Sequence, residues 1–170
     1  MVRKMRAGEY TAPMDYERIP ADPIYLQALG RAFYNFVYLE EIVFHMIGRL
    51  HRKGYDAVGD LDTAGQIAKT LGTSINRAEL PIELRDRLSE FQEQFRLATK
   101  HERNDLLHSR PYSTPSGEQR LSRRNPAIPS TNIYWPLERV HEAAELFARL
   151  AIEGSSIFHD EIVPLFPNPH

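Results

Sequence analysis

The sequence predicts an all-α fold, an antiparallel bundle of three long helices and one short helix. Three observations predict it: apolar residues recur at alternating spacings of three and four, capping residues or prolines open these stretches, and glycines or prolines close them. A chain of 170 residues can bury a core as one domain. We expect this domain to span residues 22–160, between an N-terminal arm, 1–21, and a C-terminal tail, 161–170.

The first helix is predicted to begin at Asp22 and Pro23, an N-cap residue followed by a proline at the first helical position. It should end near Gly54, since glycine commonly follows the last turn of a helix. Its apolar positions predict the face that meets the core: Leu26, Leu29, Phe33, Phe36, Val43, Ile47 and Leu50.

The short helix and the next long helix have clear boundaries in the sequence. Thr63 to Gln66 fits a capping box, and Gly72 is the expected stop of the short helix. The next helix should open at Pro81 and continue to about His108, where Pro111 prevents it from going further.

Residues 109–135 change in character, because prolines, Ser116-Gly117 and arginines replace the helical pattern. We expect an irregular loop here, or one that contains a hairpin at Ser116-Gly117. The last long helix should begin at Leu137 and could bend at Gly154.

Composition excludes several classes of function. Without cysteine, a disulfide framework, a cysteine zinc site or a thiol nucleophile is impossible. The sequence lacks an uncharged apolar run near the ~20 residues of a membrane span, which predicts a soluble cytoplasmic protein. A net charge of −2 disfavours a generally basic nucleic-acid surface but leaves room for a local basic patch.

Neither a metal nor another cofactor is predicted. Glu138 and His141 form the one Glu-x-x-His pair, whereas a di-iron bundle needs two such pairs and further carboxylates. His101 and His108 are seven residues apart, about 10 Å along a helix, which is too far for both to bind one ion.

The segment from Arg103 to His108 contains the residue types needed to cleave RNA without a metal. Histidine can take or give a proton near neutral pH, and arginine presents a permanent planar cation to phosphate oxygens. Arg103 and His108 are five residues apart, so on an α-helix their side chains point about 140° away from each other. They can converge on one site only at a loosened helix end or across a two-fold axis. Alternatively, Arg103, His108 and Arg110 offset the helix dipole and cap carbonyls.

Arg103-Asn104-Asp105-Leu106-Leu107-His108 resembles the Arg-x4-6-His motif of HEPN domains, and its position late in a small helical bundle is similar too. The resemblance implies a homodimer whose paired motifs form a metal-independent endoribonuclease site, often in a toxin or defence effector accompanied by an antitoxin. By that resemblance Arg103 and His108 are catalytic, with Asn104, Ser109 and Glu40 in support. Some HEPN toxins carry a tyrosine two residues after the histidine, where this chain has Arg110.

Glu40 is an independent candidate in the first helix, because it stands among apolar residues on a predicted core-facing stripe. A carboxylate there needs a partner. Arg103 or a motif histidine is the expected partner. The alternatives are solvent or another arginine such as Arg96.

The segment 109–135 carries an excess of positive charge beside the motif, together with aromatic side chains that can stack on bases. The predicted RNA-binding residues are Arg110, Tyr112, Arg120, Arg123 and Arg124. Alternatively, these arginines aid solubility while Tyr134 and Trp135 pack beneath the loop.

Two functional hypotheses follow. The first is a HEPN-like endoribonuclease that attacks the phosphate with the RNA 2′-hydroxyl and leaves a 2′,3′-cyclic phosphate. The second is a non-catalytic HEPN-like bundle that binds a partner protein or a nucleotide.

Overall fold

The structure, a computed structural model, describes residues 22–59 and 62–168. This part of the chain is mostly helical, so the predicted helical architecture is confirmed in outline. A small antiparallel sheet accompanies the helices, and a purely helical fold is therefore only approximately right. The predicted N-terminal arm lies outside the described residues.

Two of the helices continue without a break into further helical turns. A π-helical segment, Ala98–Arg103, joins α3 to α4, and a second one, Ile157–Ile162, joins α5 to α6. The helices are α1, Pro23–Leu50; α2, Ala64–Arg77; α3, Ile82–Leu97; α4, Asn104–Leu107; α5, Leu137–Ser156; and α6, Val163–Leu165.

The predicted starts of α1 and α2 are confirmed by their capping geometry. The Asp22 side chain accepts a hydrogen bond from the backbone N–H of Ile24 at 2.9 Å, and Thr63 and Gln66 form both bonds of a capping box. The predicted end of α2 at Gly72 is wrong, since the helix continues to Arg77. Buried residues beyond Gly72 hold this last part against the core, which outweighs the low helix propensity of one glycine.

The predicted core face of α1 is wrong in its N-terminal half. Leu26 and Phe33 are 52% and 56% exposed, whereas Tyr25, Ala28 and Ala32 are buried. The helix packs mainly along α5, and the small alanines allow a close approach that larger side chains would prevent. One apolar stripe of α1 is therefore left outside the core.

The segment after α4 forms a three-stranded antiparallel sheet in the order β1-β2-β3. The predicted hairpin is confirmed, with Gly117 at φ +87° in the turn between β1 and β2, but the sequence did not predict the third strand. The strands are β1, Arg110–Ser113; β2, Gln119–Arg124; and β3, Asn132–Trp135.

The sheet is fastened to the start of α1. Trp135 is fully buried, and the Tyr25 hydroxyl donates to its backbone carbonyl at 2.7 Å while accepting from the N–H of Leu121 at 3.2 Å. The end of α4 therefore passes directly into a sheet that is held on the bundle.

At the other end of the fold, the last helix passes through Gly154 and continues into α6, which ends at Leu165. A side chain at Gly154 would meet the Phe91 ring, with its Cβ 2.7 Å from Cζ. Within residues 22–59 and 62–168, no helix has both the length and the apolar character needed to cross a lipid bilayer.

Candidate functional site

The motif begins where the helix changes its winding. The N–H of Asn104 bonds to the carbonyl of Thr99, five residues earlier, so Arg103 is the last residue of a π-helical segment. Such segments interrupt α-helices frequently at functional sites. The helix ends four residues later, where the N–H of His108 bonds to the carbonyl of Asn104 and the Ser109 hydroxyl donates to the carbonyl of Asp105 at 2.7 Å.

Arg103 points back onto α1. Its guanidinium carbon lies 5.5 Å from the centre of the Phe36 ring, and Nη1 donates to the side-chain oxygen of Asn104 at 2.9 Å. A cation over an aromatic face is electrostatically favourable, and the amide sets the plane of the fork. Arg103 is therefore held in one orientation and retains further donors for a ligand.

Glu40 lies in the electrostatic field of Arg103. Burial raises the pKa of the Glu40 carboxyl above its ordinary value, the cation of Arg103 counteracts that rise, and Glu41 adds to it. The two groups do not form a direct ion pair in the described structure, and Arg96 binds Glu93 instead. The charge of Arg103 therefore acts on Glu40 through space rather than through a direct ion pair.

We expect Glu40→Gln to stabilise the protein at pH 7 to 8. A carboxyl whose pKa is raised on folding contributes stability below its unfolded pKa and loses it as the pH rises through the folded pKa. The variant should therefore have a higher midpoint of thermal unfolding at neutral pH and the same midpoint as the unchanged protein near pH 4. A lower midpoint at neutral pH would show that the ionised Glu40 is net stabilising through Arg103.

Two ion pairs hold the motif segment from its sides. Asp105 accepts from Arg123 at 2.6 Å, and the same guanidinium donates to the carbonyl of Asn104 at 3.2 Å. On the other side, Arg139 approaches Glu102 at 3.5 Å. These contacts fasten the motif to β2 and to α5, which limits how far its side chains can move.

Arg120 and Arg123 bind other residues of the chain, although the sequence predicted that both would contact RNA. Arg120 is only 9% exposed, bonds to Asp22 at 3.3 Å and lies 4.9 Å from the centre of the Tyr25 ring. Of the other predicted RNA contacts, Arg110 and Arg124 are exposed and Tyr112 is half-buried.

Arg123→Ala should destabilise the fold by about 2 kcal/mol, because it leaves the mostly buried Asp105 without its charged donor. Arg124→Ala is the matched control in the same strand, and it should change the free energy of unfolding by less than about 0.5 kcal/mol. Chemical denaturation of both variants measures the difference. Equal stability of the two would contradict the structural role of Arg123.

His108 and Arg103 have different surroundings within one chain. It caps α4 with φ −93° and ψ 6°, and its side chain is exposed, whereas Arg103 faces α1. The two side chains form no hydrogen bond with each other. We therefore expect a site that uses both groups to include a second copy of the chain or a movement of the helix end.

The sequence did not indicate three residues that shape this region: Glu102, Asp105 and Arg139. Asp105 lies inside the motif, so its charge among apolar neighbours was a usable signal. Arg139, in the first turn of α5, follows Trp135 at the end of β3 by four residues, and its guanidinium carbon lies 4.3 Å from the centre of the Trp135 ring.

Comparison with protein-family models, curated proteins and solved structures gives no match for this chain.

Proposed function

We propose that this chain is a HEPN-like, metal-independent endoribonuclease that acts in the cytoplasm as a homodimer. Arg103 would bind the scissile phosphate, and His108 would take the proton of the 2′-hydroxyl or give one to the leaving 5′-oxygen. Glu40 and Asn104 would orient Arg103, and Ser109 would end the helix beside His108. An accompanying antitoxin is part of the same proposal.

The observation that supports this function best is the environment of Arg103. An arginine serves the fold alone when carboxylates and carbonyls take up its donors, as they do for Arg123. Arg103 instead has an aromatic ring, one amide oxygen and a through-space carboxylate around it, and Nη1 is its one nitrogen with a hydrogen-bond partner among the described residues. Its Nε is buried, so a phosphate would bind at the Nη1 and Nη2 end of the guanidinium.

The stripe of α1 that is left outside the core supports a homodimer. Leu26, Phe33 and Val37 lie on one side of the helix and are 52%, 56% and 45% exposed, and Glu40 continues the same line seven residues after Phe33. We call these three side chains the α1 stripe. A second copy seated on the α1 stripe across a two-fold axis would bring the two Glu40 and Arg103 pairs close together.

Two further aromatic side chains are exposed beside the α1 stripe. Tyr34 and Tyr38 are 69% and 49% exposed, and each lies about 100° further round the helix than the stripe residue before it. Tyrosine is among the residues enriched at protein interfaces, so a partner that wraps round this side of α1 would cover them as well.

We expect Phe33→Asp to make the protein monomeric and to remove its ribonuclease activity. In a two-fold interface the substitution buries two like charges near one another, so the dissociation constant should rise at least about 100-fold. Light scattering and cleavage assays on the same samples measure both effects. Ile82→Asp, at a residue 67% exposed on α3, is the control that should stay dimeric and active.

The function itself is tested with structured and unstructured RNA, incubated with purified protein in excess EDTA. Cleavage by the unchanged protein, lost in both Arg103→Ala and His108→Ala with helical content unchanged, would support the proposal. Cleavage that persists in both variants would overturn the site. An RNA that stays intact under all conditions would favour the non-catalytic hypothesis.

A further inference from the structure

We propose that the outward face of the sheet binds an unpaired RNA base by stacking it on Tyr112 and Tyr134, next to the motif. This inference rests on the proposed function and specifies its substrate as single-stranded RNA. We call these two residues the tyrosine pair.

The strand register places the tyrosine pair on one face of the sheet. Tyr112 is opposite Arg120, and Ser122 is opposite both Arg110 and Tyr134. Directly opposed residues in antiparallel strands point to the same side. The alternate face carries Leu121 and the fully buried Trp135 and covers the bundle. On the face of the tyrosine pair, which we call the outward face, Arg120 packs against Tyr25 and Asp22 at one end, while Tyr134 stays open to solvent.

The two rings form a surface suited to a base. Their centres are 5.4 Å apart with the planes at 59°, and Tyr134 is 49% exposed. Stacking on aromatic side chains tolerates any base, because every base has a π-face, but it requires that the base be unpaired. A duplex cannot supply such a base without opening.

Charge on the same face suits the phosphates of the strand. The three strands contain four arginines and no carboxylate. Arg120 and Arg123 are occupied by ion pairs with the fold, while Arg110 and Arg124 stay exposed and share the outward face with the tyrosine pair. This leaves two cations for a backbone that runs past the stacked base.

The tyrosine pair is close to the motif and rigidly joined to it. Tyr112 follows His108 by four positions in the chain, a span of at most about 14 Å. The bond from Arg123 in β2 to Asp105 fixes the sheet against the motif helix. A base on the tyrosine pair would therefore hold a phosphate within a nucleotide or two of His108.

The test measures binding, so that it does not depend on cleavage. The full chain carrying His108→Ala is titrated with an RNA of roughly a dozen nucleotides that contains 2-aminopurine, and separately with the blunt duplex of the same sequence. In this background Tyr134→Ser and Tyr112→Ser should each weaken single-strand binding about tenfold and reduce the quenching of 2-aminopurine. Tyr134→Phe keeps the ring and should bind within about twofold of the parent.

Ile128→Ser is the matched control, at a residue 54% exposed in the loop between β2 and β3, and it should leave binding unchanged. Equal binding by parent, Tyr134→Ser and Tyr112→Ser would overturn the proposal, as would duplex bound as tightly as single strand. Thermal unfolding shows whether a serine variant has lost its sheet. In that case the comparison of Tyr134→Phe with the parent decides whether RNA binding depends on the ring or on the hydroxyl.

Cleavage assays separate this proposal from the ribonuclease function. For cleavage, the tyrosine substitutions are made with His108 intact. Variants that cleave, and bind single strands, as the unchanged protein does would overturn the role of the tyrosine pair and leave the nuclease function intact. The opposite result is also possible. If single-strand binding depends on the tyrosine pair but the unchanged protein does not cleave RNA, the stacking proposal is supported and the ribonuclease function is contradicted.

Discussion

His108→Ala and Arg103→Ala should each reduce RNA cleavage at least about 100-fold. Loss of a positioned acid or base commonly costs that much or more, and loss of a donor to developing phosphate charge costs a similar factor. The first-order rate constant for cleavage of one labelled RNA, measured at saturating enzyme in EDTA, is compared between each variant and the unchanged protein. His101→Ala and Arg96→Ala remove the same residue types nearby and should retain the parental rate.

The structural and catalytic roles of Arg103 can be separated. Arg103→Ala removes the cation that offsets the raised pKa of Glu40, so some loss of stability is expected from the single variant. Combining it with Glu40→Gln removes the uncompensated carboxyl and should restore the unfolding midpoint but not the cleavage. Recovered cleavage in the double variant would show that Arg103 acts only through the fold.

Arg103→Ala and His108→Ala chains should restore each other's activity when they are combined in one dimer. If each site takes Arg103 from one copy and His108 from the other, a heterodimer of Arg103→Ala with His108→Ala contains one intact site. Random exchange of subunits should then recover about one quarter of the parental activity, and an isolated heterodimer about half. Differently tagged chains, expressed together and purified through both tags, provide that heterodimer.

A heterodimer as inactive as its parents would place both groups of a site within one chain, against the geometry proposed here. The helix supports the composite site, since Arg103 turns onto Phe36 while His108 is exposed at the cap of α4. As a control, Arg103→Ala and His108→Ala chains that both also carry Phe33→Asp should recover no activity when mixed, because they stay monomeric.

Much of the helical architecture was predictable from local chemistry. Asp22 and Thr63 specify caps through side-chain bonds to nearby N–H groups, and these depend on a few consecutive residues. The cost of placing a carboxylate on an apolar stripe made Glu40 a candidate; burial raises its pKa, and the charge of Arg103 opposes that rise without a direct ion pair. Each of these predictions used an interaction whose partner could be inferred from residue type alone.

The errors came from tertiary packing. Two apolar stripes run along α1, and only the position of α5 decides that Ala28 and Ala32, rather than Leu26 and Phe33, are buried. Pairing of β3 depends on residues far along the chain, such as Tyr25. The ion pair between Arg123 and Asp105 likewise joins β2 to α4, so a count of arginines in a proline-rich segment could not separate structural from exposed cations.

The ribonuclease proposal is tested most directly by the end chemistry of RNA cut by the unchanged protein in excess EDTA. Attack by the 2′-hydroxyl predicts a 2′,3′-cyclic phosphate and a 5′-hydroxyl, which enzymatic end labelling and mass spectrometry identify. Products with a 3′-hydroxyl and a 5′-phosphate, or cleavage that EDTA abolishes, would contradict it.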